Sequence, residues 1–374
     1  GARNLLSSFG LENEVFLSFL PLPHSYEYTG GQFFPISIGA EVYFAEGIEH
    51  LARNMKEARP TLMTAVPRLY DVLHERITRS VRAKGGLSET LFMETVRLGR
   101  KRLAGKRLLP HEFLLDLMLE RLVRNKIQER LGGRLKYFIS GGAALNPEIG
   151  TFFMALGVKL LQGYGQTEAS PLISANRPNK IKIETVGPPV AGVEVRFADD
   201  GEILVRGDVL MKGYWRDEHS TAAAIQDGWL HTGDIGNCDK DGYITITGRK
   251  KEMIVNSGGE NIVPSRVEAL LTIEPEIEQA MVDGDQRPWL AAVIVPSAEA
   301  RKTAESNEAL NLLIADTIER ANSRLSQIER VRRFVIADEE FTTENSKLTA
   351  TLKVRRHIVK AEYQDRIAAL YNRQ

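Results

Sequence analysis

Short apolar runs alternate with longer amphipathic segments through the first half of the chain. The apolar runs have the length and composition of buried strands, and Pro21 and Pro23 end the first of them. The predicted strands are residues 15–20, 62–66, 137–140 and 159–164. Helices are predicted between them, one from about Pro67 and another from Pro110 to the Gly132-Gly133 stop. This alternation predicts βαβ units and a largely parallel sheet, which binds ligands at the carboxyl ends of its strands.

From about residue 186 the pattern becomes one of alternating strands joined by tight turns. Residues 193–197 and 203–205 flank an Asp-Asp-Gly turn, and residues 242–247 alternate in the same way, which predicts a small antiparallel β subdomain over 186–248. A charged run, Arg249 to Glu252, follows. Beyond it the pattern predicts helices at 264–271 and 307–325 and strands at 279–282, 290–295 and 331–336. We therefore predict an α/β fold with domains 1–248 and 249–374.

Composition narrows the class of protein. The chain has 374 residues, of which 43% are hydrophobic, and its 49 basic residues balance its 49 acidic ones, so bulk charge does not favour a nucleic-acid partner. Cys238 is the single cysteine, which excludes an internal disulfide framework and a cysteine-based zinc site. The sequence predicts neither a membrane span nor a secretory signal. We expect a cytoplasmic protein.

Basic residues are concentrated in one segment. Residues 76–136 contain 16 Lys/Arg against 6 Asp/Glu. This bias is typical of the solvated face of amphipathic helices, and it also suits peripheral contact with an anionic membrane. No nucleic-acid motif accompanies it. The segment from Gly99 to Lys106 resembles a phosphate-binding loop. However, the spacing between its two glycines is one residue too long and its pattern predicts a helix, so we reject that interpretation.

Four short stretches carry the candidate chemistry. Residues 140–144 follow an apolar strand with small side chains, so a ring or phosphate can approach the backbone. Residues 162–168 set an aromatic ring, a hydroxyl and a carboxylate side by side, a set that suits a base, a phosphate and Mg²⁺. Residues 229–234 place an acid after a predicted tight turn, suited to ribose hydroxyls. Residues 248–252 and 257–261 frame the predicted domain boundary with a cationic hinge and a flexible loop.

At these residues the chain resembles the adenylate-forming acyl-CoA synthetases, and most closely the long-chain fatty acid group. The resemblance extends from residues 17–24 through Tyr164 to Glu168 and Thr232 to Asp234, and on to residues 348–353. It implies a two-step reaction. A fatty acid carboxylate attacks the α-phosphate of ATP to give an acyl-adenylate and pyrophosphate, and the thiol of coenzyme A then displaces AMP. In such enzymes Mg²⁺ and a lysine neutralise the crowded charge, and a mobile C-terminal α+β domain swings between the two steps.

The resemblance also implies roles for individual residues. Glu168 would hold Mg²⁺ and Thr167 would contact the phosphate, His24 would gate the acyl pocket, and Lys251 would be the hinge. Asp234 and Arg249 would hold the ribose, and Gly258 and Gly259 would line the path of coenzyme A. Tyr164 would stack on adenine beside Gly142 and Ala143. The remaining nucleotide-binding positions would be Gly141, Gln162, Gly163 and Gly165. From the residues alone, His24 as the cap of a strand and Lys251 as an exposed lysine stay open.

Two departures from the family pattern matter. The Ser/Thr/Gly-rich phosphate loop that ends in Pro-Lys-Gly is not in this sequence. We expect it upstream of Gly1, which makes this chain about the C-terminal two-thirds of a longer protein and inactive alone. The glycine that usually precedes the final lysine is replaced by Leu352. We assign the adenylation lysine to Lys353, at the start of the last helix, with Lys347 as the competitor. The alternatives are a ligase for an aryl or amino acid and a non-catalytic nucleotide- or acyl-binding remnant.

Overall fold

The computed structural model describes residues 13–349 and 351–372, and they divide into two units. Unit 1 comprises residues 1–232 and 236–246, and unit 2 comprises residues 233–235 and 247–374. The predicted α/β fold is confirmed. Within the described part of the chain, none of the helices has the length and apolar character needed to cross a membrane.

Unit 1 is built on a six-stranded sheet of order β2-β1-β3-β4-β5-β6, in which β1 to β5 are parallel. The strands are β1 Val15–Ser18, β2 Glu41–Phe44, β3 Leu62–Ala65, β4 Tyr137–Ser140, β5 Leu160–Tyr164 and β6 Ser174–Ala175. The helices are α1 Ser25–Glu27, α2 Phe34–Ser37, α3 Leu51–Ala58, α4 Pro67–Lys84, α5 Gly86–Leu103, α6 Pro110–Leu119, α7 Asn125–Arg130 and α8 Pro147–Ala155. Two π-helical segments, Tyr28–Phe33 and Glu120–Arg124, join α1 to α2 and α6 to α7. The predicted parallel sheet is confirmed, and β2 and α3 were not predicted.

Local sequence explains where these helices begin. Pro67, Pro110 and Pro147 occupy first-turn positions, where the fixed φ of proline suits the helix and its missing N–H costs nothing. Asn146 caps α8, because its side-chain oxygen accepts a hydrogen bond from the Glu148 N–H at 2.9 Å.

The two faces of the sheet bury alternate residues of each strand. Leu17, Met63 and Phe138 face one side and pack with Tyr70 of α4 and Phe153 of α8. The ring centroid of Tyr70 lies 5.5 Å from that of Phe138 and 5.8 Å from that of Phe153, in edge-on contacts. Phe16, Leu62 and Leu161 form a smaller cluster with Phe34 on the opposite side. This alternation fixes the register of the strands, because a shift by one residue would exchange the faces.

The antiparallel sheet has the order β11-β10-β8-β7, with β9 on the edge of β10. Its elements are β7 Val193–Phe197, β8 Glu202–Gly207, α9 Glu218–Ala224, β9 Ile225–Gln226, β10 Trp229–Cys238 and β11 Ile244–Arg249. The hairpin predicted from the Asp-Asp-Gly turn is confirmed.

Unit 2 places helices on both faces of a three-stranded sheet of order β14-β15-β16. Its strands are β12 Ile254–Val255, β13 Asn261–Ile262, β14 Ile277–Asp283, β15 Leu290–Pro296 and β16 Val331–Ile336, and its helices are α10 Pro264–Leu271, α11 Ala298–Thr303, α12 Asn307–Asn322 and α13 Arg356–Asn372. Ala292 and Ile294 of β15 pack with α10 and α12, whereas Val293 and Val295 pack with α13. The predicted strands and helices of this region are confirmed to within a few residues.

Of the rejected phosphate-loop imitation, Gly105 and Lys106 lie beyond α5, which ends at Leu103, whereas residues 99–103 lie inside the helix, as predicted. Gly99 is needed there for packing, because a Cβ at this position would lie 2.6 Å from backbone atoms of Ala155 in α8. We expect Gly99→Ala to lower the free energy of unfolding of unit 1 by about 1–3 kcal/mol, after a helix-propensity gain of about 1 kcal/mol. The measurement is denaturant unfolding. Exposed Arg100 in the same helix offers the control, and Arg100→Ala should change the value by less than about 0.5 kcal/mol. Equal effects would contradict the packing role.

Candidate functional site

The carboxyl ends of β3, β4 and β5 lie side by side at one edge of the parallel sheet. Ala65 pairs with Ser140, and Ser140 pairs with Gln162. The chain leaves β4 at Gly141 to Ala143 and leaves β5 at Gly165 to Glu168. The structure therefore brings together two of the four stretches predicted to carry the chemistry. Gln162, Gly163 and Tyr164 are the last residues of β5, and β6 extends the sheet beside them.

The loop after β4 rests on an aromatic ring. A Cβ at Gly141 would lie 3.1 Å from the ring of Tyr26, and Gly142 has a φ of 83°, which favours glycine. The Tyr26 hydroxyl donates a hydrogen bond of 2.7 Å to the Ile139 carbonyl oxygen. Tyr26 thus sets the height of the Gly141–Ala143 backbone above the sheet.

The loop after β5 turns sharply for a steric reason. A Cβ at Gly165 would overlap the carbonyl group of Pro171, so only glycine fits this close approach. Thr167 to Ala169 form a single 3₁₀ turn. Tyr164 is only 7% exposed and packs among Ile173 and Leu230. Little of its ring is therefore accessible to a nucleotide base in unit 1, and its role in stacking on adenine stays a prediction.

Thr167 and Glu168 project from this loop toward two other segments. The Thr167 hydroxyl lies 3.1 Å from that of Ser25, the residue after His24. Glu168 Oε1 accepts a hydrogen bond of 2.9 Å from the Tyr214 hydroxyl, and its carbonyl oxygen accepts one of 2.8 Å from the Met211 N–H. Burial, followed by the hydrogen bond to Glu168, raises the pKa of Tyr214, so Tyr214 remains a donor.

His24 begins the helix that carries this contact. Its Nδ1 accepts a hydrogen bond of 3.2 Å from the Tyr26 N–H, so His24 caps α1. The alternative that it caps a strand is wrong, because β1 ends at Ser18. The gate role implied by the resemblance stays a prediction.

Glu27, in the same helix, is a fully buried carboxyl at the ends of β1 and β3. Ser18 Oγ and Thr64 Oγ1 donate hydrogen bonds of 2.6 Å to its two oxygens, and Gly31 leaves it room. Burial raises the pKa of Glu27 despite these donors. This residue ties the His24 segment to the sheet edge, and sequence reasoning missed it because a single acid after a histidine carries no signal.

The donor set at this edge suits a metal ion that arrives with its substrate. The described residues contain no group of three or more His, Cys, Asp or Glu side chains close enough to hold a metal. Glu168 offers one carboxylate and Thr167 one hydroxyl at the loop after β5. Mg²⁺ is commonly held by one or two carboxylates together with substrate phosphates, so these residues fit a magnesium–nucleotide complex.

Asp234 and Arg249 form a second part of the predicted site, in unit 2. Arg249 Nε donates a hydrogen bond of 2.9 Å to Asp234 Oδ1, and Asp234 is 3% exposed. The predicted tight turn before Asp234 is wrong, because Asp234 lies within β10. The turn precedes Trp229 instead, where Asp227 and Gly228 have φ values of 51° and 76°. Sequence-based turn prediction was misled by Gly233, which has a φ of 70° but lies within β10.

Lys353 shares the electrostatic environment of this pair. Burial and the nearby Arg249 charge lower the pKa of Lys353, while Asp234 and Glu252 partly oppose the shift. The backbone around Lys353 is fixed locally, since Thr349 N donates to its carbonyl oxygen at 2.8 Å and Thr349 Oγ1 accepts from its N–H at 3.1 Å. The prediction that Lys353 opens the last helix is wrong by three residues, because α13 begins at Arg356. Leu352, which replaces the usual glycine, has a φ of 61°.

Lys347 has the opposite environment. It is 2% exposed, and its Nζ lies 2.7 Å from both Glu339 Oε1 and Glu362 Oε1. Burial opposes its charge, but these two hydrogen bonds prevail and raise the pKa of Lys347. Lys347 is therefore fixed in structural ion pairs.

The remaining predicted positions are exposed in unit 2. Lys251 and the Gly258-Gly259 turn are at the surface. The segment predicted as a flexible loop is the turn of the β12–β13 hairpin. Asn256 Oδ1 accepts hydrogen bonds of 2.9 Å from the Gly258 and Glu260 N–H groups, and Gly259 has a φ of 81°. Turn geometry alone accounts for Gly259, so its role toward coenzyme A stays a prediction.

The arrangement has the architecture of adenylation domains of known structure. The adenylation and carrier didomain of a carboxylic acid reductase from Segniliparus rugosus, solved in complex with AMP, superposes with a TM-score of 0.75 at 25% identity, over 99% of this chain and 51% of that one. The anthranilate CoA ligase AuaEII, solved with anthranoyl-AMP, superposes with a TM-score of 0.69 at 22% identity, over 96% of this chain and 62% of that one. The second likeness concerns the fold alone.

Sequence comparison gives the family. The model of the AMP-binding enzymes matches residues 2–215, and that of the AMP-binding enzyme C-terminal domain matches residues 251–374. The chain belongs to the AMP-binding enzyme family. It is similar to the long-chain-fatty-acid–CoA ligase FadD15 of Mycobacterium bovis, with 34% identity over 100% of this chain. It is 31% identical, over 98% of its length, to the peroxisomal long chain acyl-CoA synthetase 6 of Arabidopsis thaliana. The chain spans 65% and 56% of the lengths of these two relatives.

The opposite pKa directions of the two lysines predict opposite effects on stability. A raised pKa means that folding favours the charged form, so Lys347 stabilises unit 2 at every pH below its unfolded value of about 10.4. A lowered pKa means that folding disfavours the charge of Lys353 over the same range. We expect Lys347→Met to lower the free energy of unfolding at pH 7 by about 1–3 kcal/mol. Lys353→Met should leave it unchanged or raise it. Hydrogen exchange in β15 provides the measurement.

A loss of stability from Lys353→Met as large as that from Lys347→Met would contradict this assignment. The two substitutions are chemically identical, so each serves as the control for the other.

Proposed function

We propose that the full-length protein is an ATP-dependent long-chain fatty acid–CoA ligase. In the first step the fatty acid carboxylate attacks the α-phosphate of ATP, forming an acyl-adenylate and releasing pyrophosphate. In the second step the thiol of coenzyme A attacks the acyl carbonyl, forming acyl-CoA and releasing AMP. The substrate class is supported by the long-chain ligases that match along the whole of this chain at 31–34% identity.

The observation that carries this proposal is the placement of one lysine of lowered pKa beside the Asp234–Arg249 pair. A carboxylate and an α-phosphate repel each other, so the first step needs a positive charge at the reacting atoms. Lys353 would supply it, and Asp234 would accept hydrogen bonds from the ribose. Burial and Arg249 lower the pKa of Lys353, but the Asp234 and Glu252 carboxylates oppose that shift and favour the charged form that this role needs.

The residues at the sheet edge would hold the phosphates. The Thr167 hydroxyl would donate a hydrogen bond to a phosphate oxygen, and Glu168 would hold Mg²⁺. The hydrogen bond from Tyr214 would orient the Glu168 carboxylate. When bound, Mg²⁺ neutralises negative charge on the nucleotide and on the leaving pyrophosphate. The small residues from Gly141 to Ala143 would let the adenine approach the backbone.

The choice of substrate can be tested on the full-length protein by acid-dependent exchange of pyrophosphate into ATP. The expectation that the present chain is inactive without the phosphate loop is itself still a prediction, so this assay uses the longer protein. Palmitate should support exchange at least about tenfold better than benzoate in kcat/KM, because a long apolar chain contributes binding energy that a ring cannot. A preference for benzoate would favour an aryl-acid ligase, and exchange with neither acid would favour a non-catalytic nucleotide-binding protein.

A second prediction concerns Lys353 in the full-length protein. Lys353→Ala should slow palmitate-dependent adenylation by about 10²–10³-fold, because a charge-stabilising donor is lost. Formation of palmitoyl-CoA from supplied palmitoyl-adenylate should remain within a few-fold of wild type. Lys347→Ala, assayed where it is folded, should leave both steps within a few-fold. If Lys353→Ala slows both steps equally, or if the two phenotypes are exchanged, the assignment is wrong.

A third prediction concerns Tyr214 as a positioning residue. Tyr214→Phe removes the hydrogen bond to Glu168 but keeps the ring, so it should raise the Mg²⁺ concentration for half-maximal adenylation by about tenfold. The maximal rate at saturating Mg²⁺ should change much less. Calorimetry of magnesium–ATP binding should show the same loss of affinity. Trp215→Phe is the control, because Trp215 is 86% exposed beside Tyr214. An unchanged Mg²⁺ dependence would remove Tyr214 from the site.

A further inference from the structure

Helix α6 buries its acidic side chains and exposes most of its large apolar ones. Its acidic residues Glu112 and Asp116 are each 5% exposed, whereas four of its six large apolar side chains face outward and only Leu119 is fully buried. The outward residues are Phe113 at 55%, Leu114 at 64%, Leu117 at 54% and Met118 at 59% exposed. Leu109, at 54%, and Leu122, at 42%, extend this surface at the two ends of the helix. We call these six residues the α6 apolar face.

Buried ion pairs fix this orientation. Lys101 and Arg102 of α5 contact Glu112 Oε2 at 2.5 Å and Asp116 Oδ2 at 2.9 Å. Arg124, which is 1% exposed, contacts Asp116 Oδ1 at 2.6 Å and donates to the Ala155 carbonyl oxygen at 3.0 Å. Rotating α6 to bury these apolar side chains would break the contacts of Glu112 and Asp116 and remove the buried carboxylate partner of Arg124, at a high cost for a buried charge. The fold therefore holds the apolar face toward the outside.

Basic residues flank the α6 apolar face. Lys106 and Arg107 precede the helix and Arg121 follows it, and all three are exposed. A contiguous exposed apolar surface of this kind marks an interaction site. Apolar side chains bordered by exposed lysine and arginine are typical of helices that lie in the interface of a membrane with acidic lipids.

We propose that the α6 apolar face docks on the surface of an anionic lipid bilayer. Phe113, Leu114, Leu117 and Met118 enter the boundary between head groups and acyl chains, and Lys106, Arg107 and Arg121 contact the anionic head groups. This goes beyond the basic segment noted in the sequence, because the inserting residues are apolar and lie on a helix whose acids point inward. The proposal does not depend on the ligase reaction, since docking needs no substrate.

Charge distinguishes the bilayer from a second copy of the chain as the occupant. In a two-fold symmetric dimer the same surface faces itself, so Arg121 and its basic neighbours would meet a surface of like charge. Residues 76–136 carry 16 basic residues and only 6 acidic ones, two of which are the buried Glu112 and Asp116. An anionic membrane complements this surface.

The test is co-sedimentation of the full-length protein with lipid vesicles. We expect binding to vesicles of phosphatidylcholine with about one-third phosphatidylglycerol, release by added salt, and much weaker binding to phosphatidylcholine alone. Phe113→Glu with Leu117→Glu should weaken binding at least about tenfold. Leu312→Glu is the matched control, because Leu312 is 69% exposed on α12 in the other unit, and it should bind like wild type. The substituted side chains point outward, and thermal unfolding checks that both variants remain folded.

Insertion can be observed directly. Phe113→Trp should give tryptophan emission that shifts to the blue on vesicle binding and is quenched by brominated lipid. In a Cys238→Ser background, Phe113→Cys should react with a maleimide in the absence of vesicles and be protected in their presence.

Three results would overturn the proposal. The first is binding to anionic vesicles that the double Phe113→Glu and Leu117→Glu variant retains, and the second is failure of Phe113→Cys to react without vesicles, which would mean that protein covers the face. The third is self-association in sedimentation equilibrium that the double variant abolishes, without vesicle binding by wild type, which would make a second copy the occupant. Because none of these measurements uses the ligase reaction, they are separate from the tests of the proposed function.

Discussion

Parallel pairing of β3, β4 and β5 is the constraint on which the site in unit 1 depends. Parallel strands end at the same edge, so two loops that are distant in sequence leave the sheet next to each other. The space available next to neighbouring groups then restricts which residues fit in these loops. Gly141 must clear the ring of Tyr26, and Gly165 must clear Pro171. The candidate site residues Thr167 and Glu168 follow Gly165 closely, on a turn whose course these contacts fix.

Two lysines of unit 2 that are close in sequence have opposite environments. Lys347 has two carboxylate partners and almost no exposure, so it behaves as part of the core around Tyr363. Lys353 is partly buried beside another cation, an arrangement that folding alone would not favour. A similar division occurs in α6, where the buried Asp116 pairs with Arg124 and four large apolar side chains remain outside. In both places, the ion pairs that stabilise the fold determine which side chains remain available.

Sequence reasoning succeeded where the physical cause is local. Strand alternation, proline at first turns and the Asp-Asp-Gly turn predicted the parallel sheet, the β7–β8 hairpin and α10. Prediction from sequence failed where contacts between residues distant in sequence determine the local structure. Gly233 looks like a turn residue, but pairing keeps it within β10. The short strand β2, whose residues are mostly exposed, is defined only by its pairing with β1.

The same limit applies to the candidate site. Spacing and resemblance singled out Glu168, Asp234 and Lys353, and the structure adds the partners that no local pattern encodes. Tyr214 reaches Glu168 across 46 residues of sequence, and Glu27 joins the ends of two strands. An exposed aromatic pair after Lys212-Gly213 was the one available signal for Tyr214. The orientation of α6 could not be predicted from its sequence either, because its acidic side chains are buried in ion pairs with basic residues outside the helix.

The contrast between the two lysines has a consequence for covalent labelling. Amine-reactive reagents attack only the neutral form of a lysine, and a lowered pKa increases the neutral fraction at any given pH. Lys347 is protected twice, since its pKa is raised and its amine is enclosed between Glu339 and Glu362. A mild acylating or aldehyde probe would therefore discriminate between two lysines six positions apart. The enclosed lysine would provide an internal standard for whether unit 2 had unfolded during labelling.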